Sequence, residues 1–303
     1  MISPAFSDEV IQARDSGAPI VALESTIITH GLPFPLNLQT ALRAEGEIRD
    51  AGAVPATVAV IHGQIHIGMS DDGLQYLARD VKVAKLSRAD LPMAVAQGKT
   101  GSTTVSATMI CACQAGIEVF ATGGIGGVHR GAETSFDISA DLRELALTPV
   151  TVVSAGAKAV LDIPKTLEVL ETLGIPVIAM GQDSFPAFWS RDSGLKAPLR
   201  SDSAQDIARA HRVRRDLGLA GGQLVANPVP SEAEIPYPEV RSAVGAALDH
   251  ALAEGVTGKD VTPFLLSRVL ELTEGRSLSA NIALLLNNAR LAAEIARELQ
   301  WIR

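Results

Sequence analysis

A chain of 303 residues that is 47% hydrophobic and 20% charged holds ample apolar material for a core, which excludes disorder as its main state. A formal net charge of −8 and a pI near 5.3 exclude the basic stripe of a nucleic-acid-binding surface, although a few local cations suffice for one small phosphate. Two uncharged stretches, 51–70 and 100–117, are broken by Pro55, His62, Gln64 and His66, and by Ser102, Thr103, Thr104, Ser106, Thr108 and Gln114. Neither is the roughly 20-residue apolar run of a membrane helix. No basic segment followed by an apolar one opens the chain, so the expected location is the cytoplasm.

Short apolar runs rich in Val and Ile predict strands at 20–23, 57–61, 64–68, 81–84, 118–121, 150–153, 176–179 and 223–226. The pair flanking His62-Gly63 reads as a hairpin. Helices are expected between them at 8–15, 37–51, 90–97, 103–115, 141–146, 165–173 and 204–217. Asn37 and Ser203 are candidate caps, and Gly52, Gly116, Gly174 and Gly218 are candidate stops. Beyond about Pro228 the pattern turns helical, at 238–254, 263–272 and 278–302. Cys111 and Cys113 fall on a predicted helix, where a spacing of two points them apart, so no disulfide is expected. No linker or repeat divides the chain. The expected fold class is α/β: a three-layer α/β/α single domain over 1–303, with a largely parallel or mixed central sheet and a helical C-terminal portion.

Common motifs fail. The run Gly123-Gly124-Ile125-Gly126-Gly127 has His129 where the last glycine of a dinucleotide fingerprint would stand. Gly98-Lys99-Thr100 lacks the first glycine of a P-loop, Met93 standing there, and His62 and His66 lack the glutamate of a helical zinc motif. Other residues look chemical. Glu24 ends a predicted strand, where open α/β sheets bind ligands, and suits either proton donation or capping of nearby amides. Lys158 follows another strand among small and apolar neighbours. An ammonium there is costly unless paired or deprotonated, so it is either a nucleophilic amine or a lysine on a solvated turn. The glycine run with His129 and Arg130 is either a phosphate cradle or a turn. Asp137 and Asp141, four apart, offer hard oxygen ligands or a helix cap. Asn281, Asn287 and Asn288 sit on an apolar helix, either exposed or hydrogen-bonded inside.

Several stretches occur together in one order: Ala22-Leu23-Glu24-Ser25-Thr26-Ile27-Ile28 with His30-Gly31, then Thr122 through Gly131, then Phe136-Asp137-Ile138-Ser139-Ala140-Asp141-Leu142. Ser154-Ala155-Gly156-Ala157-Lys158, Phe185-Pro186-Ala187-Phe188, Lys196-Ala197-Pro198-Leu199-Arg200, Ala226-Asn227-Pro228 and Asn281-Ile282-Ala283-Leu284 follow. Over nearly its whole length the chain resembles the pseudouridine-5′-phosphate glycosidase family, also called indigoidine-synthase-A-like. That resemblance implies reversible cleavage of pseudouridine 5′-phosphate to uracil and ribose 5-phosphate, with a divalent cation, typically Mn²⁺, in a homotrimer of α/β/α subunits. It implies Glu24 as proton donor, Lys158 as nucleophile and Asp137 as metal ligand. It implies substrate contacts at Lys85, Val105, Ser139, Ala140, Asp141 and Asn281, with His129 and Thr104 in matching motifs. Ser154 stands where family members often have Cys. The alternatives are a related C-nucleoside phosphate glycosidase of pigment or secondary metabolism, an aldolase-like enzyme also using Lys158, and a nucleotide-binding protein without activity. No nucleic acid or membrane partner is expected.

Overall fold

The computed structural model describes residues 3–80, 82–256 and 261–302. Its strands join in one sheet: β1 (Ala5–Phe6), β2 (Ile20–Glu24), β3 (Val54–Ile61), β4 (Gln64–Ile67), β5 (Ala84–Leu86), β6 (Gly101–Thr103), β7 (Val119–Ala121), β8 (Thr151–Ser154), β9 (Val177–Met180), β10 (Leu199–Ser201) and β11 (Gln223–Ala226). The order is β1-β4-β3-β2-β7-β8-β11-β9-β10, with β6 pairing β3 and β5. All pairs are parallel except β3 with β4 and β3 with β6. The α/β class expected from the sequence is therefore the observed one, and the sheet is mixed.

The central strands are near-continuous apolar runs because both faces are covered. In β7, β8 and β11 every residue is buried. Helices Leu36–Asp50, Ala204–Asp216 and Arg276–Trp301 pack together, the last lying over β2, β7 and β8. Helices Val105–Gln114 and Ala140–Leu147 pack on one another, the former against β2 and β3. Among the described residues no helix is long and apolar enough to cross a membrane. Both cysteines are free, and burial pushes the Cys111 thiol up to about 12.

Local chemistry sets most boundaries. Ser203 caps its helix by accepting from the Asp206 amide, and Gly52, Gly116, Gly174 and Gly218 all take positive φ as helix stops. Asn37 is not a cap. The helix begins at Leu36, and buried Asn37 donates to the carbonyls of Ile28 (2.7 Å) and Ala78 (2.9 Å), pinning neighbouring segments. The strand expected at 81–84 begins on Val81, outside the described residues; the observed strand is Ala84–Leu86, set by its pairing with β6. Three short strands, β1, β6 and β10, lack a periodic signal of their own, whereas the helix Asp71–Arg79, not among the expected ones, buries Leu74, Leu77 and Ala78 at i, i+3 and i+4 spacing. Pairing along a neighbour's edge makes the strands, and Ser70, accepting from the Gly73 amide, starts the helix.

One junction positions the site. Along β3, residues Val54–Val58 pair with β2, and the next two, Ala59 and Val60, pair with β6. Since β4 occupies the other edge at Ala59 and Val60, β6 continues the edge that β2 vacates at Glu24. The end of β2 thus abuts Thr103 and the start of helix Val105–Gln114.

Candidate active site

Glu24 is the last residue of β2, and the chain turns out of the sheet immediately after it. Ser25 anchors that turn: its hydroxyl donates to the Val58 carbonyl (2.6 Å) and accepts from the Thr103 amide (2.9 Å). Its carbonyl accepts from Ile28 and Thr29 as the chain coils into a π-helical turn, Ile27–Gly31. Glu24 is 6% exposed. Each carboxylate oxygen accepts one hydroxyl, Oε2 from Thr26 and Oε1 from Thr122.

Lys158 lies beyond β8, two strands along the sheet from β2, so the two residues come from the same, carboxyl-terminal end of parallel strands of one sheet. That is where open α/β sheets place ligands. The loop carrying it is fixed by its backbone. The Lys158 amide donates to the Ile125 carbonyl (3.1 Å), and Gly156 takes φ +88°, where a Cβ would come 2.9 Å from the Pro186 carbonyl oxygen.

Glu24, Lys85, Thr104, Val105, His129, Ser139, Ala140, Asp141 and Lys158 line one cleft of about 200 Å³. Nine of the residues singled out from the sequence are therefore brought together. The cleft also takes Thr26, Ser87, Ser106, Gly126, Val160 and Leu161, and Thr122 stands behind Glu24. Threonines and serines at strand ends carry no sequence signal that separates a carboxylate partner from a turn residue. A larger cleft of about 340 Å³ adjoins at Leu161 but contains neither Glu24 nor Lys158.

Asp141 is buried and faces inward. Its Oδ1 accepts from the Ser106 amide (2.9 Å) and its Oδ2 from the Gly126 amide (2.8 Å). Thr104 makes no side-chain cap to helix Val105–Gln114, so Asp141 caps that helix from a distance, an anion at its positive end. Asp137 and Asp141 share no helix face: Asp137 precedes helix Ala140–Leu147, which Ser139 caps through the Asp141 amide (3.2 Å).

The glycine run is less a cradle of free amides than a packed brace. Amides of Thr122, Ile125, Gly126, Val128 and His129 donate to Val153, Gly156, Asp141, Thr166 and Asp137. A Cβ on Gly126 would lie 2.2 Å from Ser139 Oγ, and one on Gly127 2.5 Å from Thr166 Oγ1. Glycine is needed because loops press against each other.

The lysines lining the cleft are Lys85 and Lys158. Burial, then the Lys85 charge, pushes His30 below the ordinary imidazole value, so His30 is neutral near pH 7. Its Nδ1 lies 2.6 Å from the Thr29 hydroxyl, which donates to Ser102 Oγ (2.8 Å).

Two of the expected residues do not line the cleft. Asn281 Oδ1 accepts from buried Trp189 Nε1 (2.6 Å). Asp137 sits at the rim, its side chain 58% exposed and its Oδ2 3.9 Å from His129 Nδ1. Among the described residues no three His, Cys, Asp or Glu side chains gather as a closed metal cage. A single exposed carboxylate beside the cleft nonetheless fits a hard cation that takes its other ligands from water and a phosphate.

The family model described as "Indigoidine synthase A like protein" matches residues 9–298. The chain is 66% identical over 294 residues to a pseudouridine-5′-phosphate glycosidase of Jannaschia sp. (strain CCS1), covering 97% of each chain. It is 65% identical over 294 residues to one of Paracoccus denitrificans (strain Pd 1222), covering 96% of this chain and 97% of the relative. Among solved structures, a prealnumycin C-glycosynthase in complex with ribulose 5-phosphate superposes with TM-score 0.91 at 36% identity, covering 98% of this chain and 97% of that one. An indigoidine synthase A-like protein of Thermotoga maritima gives TM-score 0.89 at 37% identity, covering 99% and 97%. With its fold, its cleft and its full-length matches in agreement, this chain belongs to the indigoidine synthase A like family.

Proposed function

We propose that the protein is a pseudouridine-5′-phosphate glycosidase, which reversibly converts pseudouridine 5′-phosphate and water to uracil and ribose 5-phosphate. The observation that carries this reading is the shared cleft: a buried carboxylate, Glu24, and an amine, Lys158, face one space with Lys85 beside them. Relatives 66% and 65% identical bear the glycosidase name, whereas the C-glycosynthase is 36% identical.

The chemistry needs this pair. The bond to be broken joins the anomeric carbon to uracil carbon 5, a leaving atom without a lone pair, so two carboxylates of the ordinary glycosidase kind have little to protonate. Lys158 attacks the anomeric carbon while the ring oxygen leaves, which opens the sugar and forms a carbon–nitrogen bond. Glu24 supplies the proton to the ring oxygen or to uracil carbon 5. Cleavage releases uracil and leaves an imine on Lys158, and water then returns the free amine and ribose 5-phosphate. Lys85 and His129 face the phosphate, and Ser139, Ala140, Asp141, Thr104 and Val105 form the wall that orients it. Asn281, a substrate-contact position by the family resemblance, lies off this wall, its Oδ1 taken by the Trp189 indole. Asp137 would hold the divalent cation, Mn²⁺ in this reading, which when bound would offset phosphate charge. A cytoplasmic homotrimer completes the proposal.

The test is incubation with pseudouridine 5′-phosphate and Mn²⁺, following uracil by chromatography. Release of uracil is expected, with loss in Lys158→Ala and Glu24→Gln. Borohydride added with ribose 5-phosphate leaves a reduced adduct on Lys158; a peptide map without it overturns the covalent step. Release of carbonyl products without uracil would favour the aldolase-like alternative.

A further inference from the structure

Resting on the glycosidase reading, we infer that Thr122 is a positioning residue for Glu24, and that Asn288 of the C-terminal helix holds it in place. Thr122 is fully buried and does not line the cleft, so it does not meet substrate. Its hydroxyl donates to Glu24 Oε1, opposite the Thr26 hydroxyl on Oε2. Its backbone is tied at both ends. The amide donates to the Val153 carbonyl of β8 (3.0 Å), and the carbonyl accepts from Asn288 Nδ2 (2.8 Å). A carbonyl only accepts, so the Asn288 nitrogen must face it, and the Asn288 oxygen then accepts from Asn227 Nδ2 at the end of β11 (3.1 Å). All three side chains are buried. A continuous line thus runs from Asn227 through Asn288 and Thr122 to the carboxylate.

The arrangement suits a residue that gives a proton in one direction and recovers it in the other. A hydroxyl can rotate from donor to acceptor. Thr26 and Thr122 therefore hold Glu24 in the same place whether its carboxyl carries a proton or not. A backbone amide in the same position, able only to donate, could not accept from the oxygen it faces once that oxygen carries the proton.

The test compares Thr122→Val, which keeps shape and loses the hydroxyl, with Thr122→Ser, which keeps the hydroxyl. For Thr122→Val, kcat for uracil release falls about 10- to 100-fold, the scale of a misplaced catalytic group. KM for pseudouridine 5′-phosphate stays within about threefold, because the lost interaction acts on the reacting proton rather than on binding. Thr122→Ser recovers most of kcat, and borohydride still traps ribose 5-phosphate on Lys158 in both variants. Thr122→Ala serves the same comparison if the valine variant does not fold. Asn288→Leu lowers kcat in the same direction, and its loss does not multiply with that of Thr122→Val, because both break one line. Unchanged kcat in Thr122→Val, an equal loss in Thr122→Ser, or a rise in KM alone overturns the assignment. A wild-type protein that releases no uracil overturns the glycosidase reading, and the inference falls with it.

Discussion

Asp141→Asn tests the central structural claim about the cleft, that this carboxylate acts inward as a shared cap. The change is nearly isosteric and removes one acceptor. In the native site Oδ1 and Oδ2 accept from the amides of Ser106 and Gly126, at 2.9 and 2.8 Å. Asparagine can satisfy one of them and must turn an NH₂ group toward the other. One charge-assisted hydrogen bond is lost, about 1.5–3 kcal/mol, and a buried amide is left facing a donor. The favourable charge at the start of helix Val105–Gln114 is lost as well, a few tenths of a kcal/mol to about 1. The expected destabilisation is about 2–4 kcal/mol. For a chain of 303 residues, an unfolding entropy near 2.1 cal/mol/K per residue makes 1 kcal/mol worth about 1.5 °C, so Tm falls by about 3–6 °C. Urea denaturation gives the free energy and differential scanning calorimetry the Tm. A variant within about 0.5 kcal/mol of wild type would refute the cap and return Asp141 to a purely ligand-facing role.

Gly126→Ala sets a Cβ 2.2 Å from Ser139 Oγ and 2.8 Å from Asp141 Oδ2, so both must shift. A loss of about 1–3 kcal/mol in stability is expected, together with a raised KM, and normal kinetics would show that the brace tolerates movement. Asp137→Ala leaves Tm nearly unchanged, because the side chain is 58% exposed, but raises the Mn²⁺ concentration needed for half-maximal uracil release; an unaltered metal titration removes Asp137 as ligand. Far from the cleft, burial pushes the Glu118 carboxyl up, but the hydrogen bond from His211 and the charges of Arg212 and Arg215 outweigh it and hold it below its ordinary value. A depressed carboxyl contributes stability that is present above the unfolded pKa and is lost as pH falls through the folded one. Glu118→Gln should therefore lower Tm at pH 7, and the difference should shrink below about pH 4.5 as the wild type protonates; a gap constant with pH would refute the linkage.

Particular elements show where the sequence was readable. Strands β2, β7, β8 and β11 are buried on both faces, so their apolar runs announce them, and most long helices carry their own caps and glycine stops. Glu24 and Lys158 stand out because a charged group at the end of such a run, or among small apolar residues just beyond one, is costly without a purpose. Strand β6 reads Gly-Ser-Thr and has no periodicity; only the vacancy beside β3 makes it a strand. Asn37 looked like a cap because Asn often is one, yet its amide is used across the fold by Ile28 and Ala78.

The same division holds at the cleft. Residue types and their order were enough for the α/β class and the family resemblance, and they singled out Glu24 and Lys158 as candidates, because these depend on local pattern. Which oxygen of Glu24 meets which hydroxyl was decided by the fold alone. Thr26 is a neighbour in sequence, but Thr122 reaches Glu24 only because β2 and β7 lie side by side, in parallel and in register. Asn288 and Asp141 likewise acquired their partners from packing. A hydrogen bond between residues distant in the chain has no local signature; it exists only once burial has removed water as the competing partner.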